Sequence, residues 1–214
     1  MRADALRHTA AAIPWLPAVI ASVVSVAVVA ASHGQATVAP LQLASVLLST
    51  AAAFALDDPA FEVLAPSPSS LMHRRWARMG VVLAPTMSLW ATLVLWHGTA
   101  GREETLTLVA MFAGLLGLAF GISGLVGRRS GGRGGSVAAP AILVAIAVSS
   151  LIDPRWRPLP FGDIPGGWSA LQTRWGVAAA VGAAILAASS VDPAGRRIGR
   201  TGPRRPHSVE EGRE

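Results

Sequence analysis

The sequence contains no cysteine and no lysine. Without cysteine there are no disulfides, thiolate metal sites, iron–sulfur clusters or cysteine nucleophiles. The same absence fits either redox compartment. Without lysine there is no phosphate-binding loop, because that motif needs Gly-Lys-Ser/Thr at the opening of a helix. The Gly-rich stretch 128–136 (RRSGGRGGS) therefore reads as a basic linker and not as an ATP site. No Gly-x-Ser-x-Gly is present, which argues against a serine hydrolase. Charge is also scarce. Asp, Glu and Arg together make up 14% of the 214 residues, against roughly 25% in a soluble domain.

What fills the chain is apolar: 52% of it is hydrophobic. A soluble fold of this size cannot hide that much apolar surface, whereas a bilayer is itself an apolar solvent. Ala, Gly and Val are abundant and all 18 of the Lys and Arg positions are Arg, which points to a GC-rich bacterial source and hence to a multi-pass protein of the bacterial inner membrane. The net charge is +6, carried by 18 arginines in short clusters between apolar runs. These clusters lack the interleaved aromatics of single-strand binders, so nucleic acid is not expected.

A crossing helix needs about 20 residues for a hydrocarbon core of about 30 Å. Six runs approach that length: 13–33, 37–56, 79–97, 105–127, 137–152 and 175–191. The fold expected is an all-α integral membrane protein of six transmembrane helices spanning 13–191. It would have a short N-terminal tail (1–12) and a basic, disordered C-terminal tail (192–214). The first run follows Arg2 and Arg7 as a signal peptide would. It is long for one and begins with Pro14 and Pro17, so it is read as retained. With six crossings, fourteen arginines fall on one side and four on the other. That bias predicts both termini in the cytoplasm.

The segment 57–78 reads DDPAFEVLAPSPSSLMHRRWAR. Asp58 can cap a helix opened by Pro59, and Pro66 and Pro68 end it. Ser69 or Ser70 can begin a second piece. Both pieces are expected to be short interfacial helices on the cytoplasmic face. Asp57, Asp58, Pro59, Phe61 and Glu62 are the candidate contacts for a cytoplasmic partner. Arg74, Arg75, Arg78, Arg128 and Arg129 are the candidate anchors against anionic lipid. The pair Asp57–Asp58 has no further carboxylates beside it and makes a poor metal site. On the opposite side, 153–174 is a Trp-rich loop with Trp156, Phe161 and Trp168. It reads as an interfacial belt, with an outer gate as the functional alternative.

No Asp, Glu, Lys or Arg lies in the middle of any run, and His33 and His97 lie at outer ends. That argues against a proton relay, a metal pathway and a carboxylate-based membrane enzyme. Small residues recur at packing spacing: Gly117 and Gly121 in the fourth run, Ala178 and Gly182 in the sixth. They allow close helix contact, either within the chain or with a second membrane subunit.

Six runs, no ATP site, and a cytoplasmic segment with Asp-Asp-Pro-Ala, Pro-Ser-Pro and Arg-Arg-Trp-Ala-Arg together resemble the small permease subunits of bacterial ABC-2-type transporters, especially those of actinomycetes. The resemblance covers residues 10–192 by architecture, and only 57–78 carries anything motif-like. It implies a helix between spans two and three that docks on an ATP-binding cassette subunit. That subunit would hold the ATP and Mg, while this chain would bind no cofactor. It also implies a second membrane subunit, in a homo- or heterodimer, and export of cargo. A non-transporting scaffold or assembly factor of a larger membrane complex is the competing expectation.

Overall fold

The computed structural model describes residues 10–34, 37–57, 71–98, 101–130, 132–153, 159, 161 and 167–190, with side chains 71–74 left aside. Among these residues all regular structure is helical. In chain order the helices are α1 (Leu16–Ala31), α2 (Ala39–Ala53, ending in a 3-10 turn over Phe54–Leu56), α3 (Leu71–His97), α4 (Arg102–Gly127), α5 (Gly135–Ser150) and α6 (Gly167–Ser190).

Four of them are long and apolar enough to cross a membrane, over Ala39–Leu56, Arg75–His97, Arg102–Gly127 and Gly167–Ser190. The protein is therefore a multi-pass all-α membrane protein, but the expectation of six transmembrane helices is overturned. α1 and α5 have 16 residues each, about 24 Å at 1.5 Å per residue, short of a core of about 30 Å. The reasons are local. α1 starts only at Leu16, with proline at its first positions, and ends where the Ser32 hydroxyl turns back onto the carbonyls of Val28 and Val29. α5 starts after Gly134 and ends at Ser150, shortly before Asp153 and Pro154 in the sequence.

A second correction concerns 69–78. These residues were expected to form a separate helix lying on the surface. Instead, from Leu71 onward they are the first turns of α3, which continues unbroken to His97. The first expected piece, opened by Pro59, lies outside the described residues. α6 likewise starts at Gly167, eight residues before the expected 175.

α2 and α4 form the centre. α4 buries one face through Leu108, Met111, Phe112, Leu115 and Ala119 and another through Gly114, Gly121 and Gly124. α6 packs along one side of α4, α1 and α3 pack on α2, and α5 lies across both central helices. α3 turns one stripe inward: Arg75, Arg78, Met79, Val82, Thr86, Trp90, Leu93 and Val94. The three- and four-residue steps are those of one helix face. Trp90 joins three helices. Its ring stacks on Phe112 of α4 at 4.7 Å, and its indole N–H donates to the Ser45 hydroxyl of α2 at 2.8 Å.

The tightest contact is between α4 and α6. Gly114, Gly117, Gly121 and Gly124 form one stripe of α4, and α6 lies directly against it. A Cβ at Gly121 would stand 2.6 Å from the Gly182 carbonyl oxygen, and one at Gly182 would strike the Gly117 backbone. Trp175, fully buried, fills the space over Gly114. In lipid such contacts hold helices by van der Waals packing, because no apolar surface is gained from water.

Candidate functional site

Five helix ends meet at one end of the molecule, and three charged side chains join them. α3 supplies Arg75 and Arg78, three residues apart and so on one face. They are only 7% and 8% exposed, respectively. Arg75 donates to the Ser189 carbonyl at 2.8 Å and to the Gly124 carbonyl at 3.0 Å. A longer contact of 3.4 Å reaches the Ser189 hydroxyl. These carbonyls lie in the last turns of α6 and α4, where backbone oxygens lack helical partners and carry partial negative charge. A planar guanidinium with five N–H donors can serve two such ends at once. Arg78 donates to the Asp57 carbonyl at the end of α2.

Asp57 works in the opposite sense. One carboxylate oxygen accepts the Gly135 N–H at 2.6 Å, and the other accepts the Ser136 N–H at 3.1 Å. These are unsatisfied donors of the first turn of α5, where a negative charge is favoured. Burial pushes the Asp57 carboxyl above its ordinary value. The two N–H bonds and the charges of Arg133 and Arg78 pull it back in part. The glycines at 134 and 135 permit this closeness: a Cβ at Gly134 would overlap the Ser123 carbonyl, and one at Gly135 the Ala53 backbone.

Of the expected partner contacts, only Asp57 is placed, and it faces α5 inside the chain. Asp58, Pro59, Phe61 and Glu62 lie outside the described residues. Of the expected lipid anchors, Arg75 and Arg78 point into the bundle. Arg128 is half-buried and reaches the Ala188 carbonyl at 3.3 Å, and Arg129 is exposed. Arg74 lies in the first turn of α3. Gly117, Gly121, Ala178 and Gly182 come together in the α4–α6 contact within one chain. At the opposite end Phe161 meets Trp175 edge to face at 5.6 Å, and Trp168 is half-buried at the start of α6. Trp156 lies outside the described residues. Among the described residues no three His, Asp or Glu side chains gather as a metal site.

Sequence reasoning missed Ser189, Gly124, Gly134 and Gly135 as partners of the charged residues. Only the three-residue spacing of Arg75 and Arg78 hinted at a shared face. Comparison of the chain with protein-family models, curated proteins and solved structures finds no match.

Proposed function

We propose that this chain is the membrane subunit of an ATP-driven transporter of the ABC-2 type in a bacterial inner membrane. It exports an apolar or amphipathic cargo. ATP and Mg are held by a separate cassette subunit, and a second membrane subunit completes the pathway. The chain has no catalytic site of its own. One observation carries the reading: the charged residues that flank the segment between α2 and α3, Asp57 on one side and Arg75 and Arg78 on the other, are bonded to the ends of α2, α4, α5 and α6. A push on it acts through Asp57 on α2 and α5. Through Arg75 it acts on α4 and α6. Such a lever is what a cytoplasmic motor requires of a subunit that cannot hydrolyse ATP.

The scaffold reading draws on a different observation. The helices carry no Asp, Glu, Lys or Arg at mid-depth, and α2 and α4 are closely packed. One experiment separates the two readings: purification of the tagged chain from its host in mild detergent, with mass spectrometry of what accompanies it. A stoichiometric ATP-binding cassette protein is expected, with ATP hydrolysis that falls several-fold in Asp57→Ala while the subunits stay together. Recovery without such a partner, from cells that express one, supports the scaffold and removes the transporter reading.

A further inference from the structure

Among the described residues the two ends of the helix bundle differ in charge. At the end where α4 and α6 finish lie Arg75, Arg78, Arg128, Arg129 and Arg133. The one acidic side chain there among the described residues is Asp57, both of whose oxygens are engaged by α5. At the other end lie Arg102 and Arg174 against Glu103, Glu104 and Asp153, so the signs nearly balance. Two of the arginines also crowd together. Arg75 and Arg128 donate to the adjacent carbonyls of Ser189 and Ala188 in the last turn of α6. Like charges held this close favour an anion nearby. Arg129 and Arg133 are exposed beside them, and Trp76, 52% exposed, lies on the second turn of α3 at the same end. Indole rings favour the headgroup layer.

We infer that this end is a binding surface for the phosphodiester headgroups of anionic phospholipid, carried by Arg128, Arg129 and Arg133, and that it faces the cytoplasmic leaflet. The surface is built by folding. Arg75 and Arg78, which flank Trp76 in sequence, are withdrawn into the helix ends. The lipid-facing charge is left to the turn after α4. Neither the transporter nor the scaffold reading is needed for this.

Two measurements test it. In the first, the full chain in detergent is titrated with phosphatidylglycerol and with phosphatidylcholine, and bound lipid is read by native mass spectrometry. Phosphatidylglycerol is expected to be retained preferentially. The triple variant Arg128→Gln, Arg129→Gln, Arg133→Gln should lose that preference by a factor on the order of a hundred, at about fivefold per arginine near a headgroup surface. Arg102→Gln with Arg174→Gln at the other end should leave it unchanged. Equal retention of both lipids by the unaltered chain, or equal loss in both variants, overturns the proposal. In the second, Ser136→Cys and Gly101→Cys are labelled in whole cells with a membrane-impermeant maleimide. Both sites are exposed, and the chain has no other thiol. Gly101→Cys should react in intact cells and Ser136→Cys only after lysis; the reverse pattern refutes the assignment of this end to the cytoplasmic leaflet.

Discussion

At the scale of the residue, Arg75 carries the greatest consequence. Its guanidinium replaces the missing partners of two helix ends, and hydrogen bonds from a charged group are worth about 1.5–3 kcal/mol each. Arg75→Gln should therefore lower stability by about 2–4 kcal/mol, read as a drop in thermal midpoint in detergent. Arg75→Lys should recover only part of it, because an ammonium lacks the planar fork that spans both carbonyls. Arg75→Glu would press a carboxylate against carbonyl oxygens, so its failure would report folding and not coupling. Asp57 is the better probe of function and also has a pH signature. Its folded pKa lies above the ordinary 3.8. A raised carboxyl contributes stability that is fully present below 3.8 and is lost as pH rises through the folded value. Acidification into that window should thus stabilise the protein on this group's account, and Asp57→Asn should flatten the slope. A wild-type slope of opposite sign that the variant removes would show that the N–H bonds of α5 outweigh the burial.

At the scale of the element, α4 and α6 behave as one body. Gly182→Ala places a methyl against the Gly117 backbone. The helices must separate, at a cost of about 1–3 kcal/mol by analogy with overpacked cores. Gly176→Ala, on the same helix with open space around its Cα, should change stability by no more than about 1 kcal/mol, and in the favourable direction. Equal effects at the two positions in a denaturation series would mean that propensity dominates over packing. The elements also show what the sequence made legible. Apolar runs located all six helices, because burial in lipid leaves a plain compositional trace. They did not locate the start of α3, since Arg74, Arg75 and Arg78 look like a membrane boundary to any measure of hydropathy. Arg75 is tolerated in the helix because Ser189 and Gly124, more than 45 residues away, supply acceptors, and Arg78 because the Asp57 carbonyl does. Such long-range pairing leaves no local mark. The start of α6 was hidden in the same way by Gln172 and Arg174. Gln172 is held there by the Glu103 carbonyl and the Thr107 hydroxyl of α4, both at 3.2 Å.

At the scale of the whole molecule, length becomes the controlling quantity. α4 is 26 residues and α3 is 27, about 40 Å each at 1.5 Å per residue. α1 and α5 are about 24 Å and carry outward-facing apolar side chains such as Val19, Val23, Val144 and Val148. The apolar girdle is therefore uneven around the perimeter, tall along the long helices and low along the short ones. Lipid tails beside α1 and α5 must shorten, tilt or splay to meet a wall about 6 Å lower than their own thickness, at fractions of a kcal/mol per Å. Reconstitution in phosphatidylcholines of graded chain length should show greatest stability in the shorter tails, and a flat response would mean that α1 and α5 are covered by protein in the membrane. If the girdle is met by lipid, each molecule sits in its own dimple. Neighbouring dimples attract because shared thin membrane strains fewer lipids, so copies of this chain would gather with no contact between their surfaces.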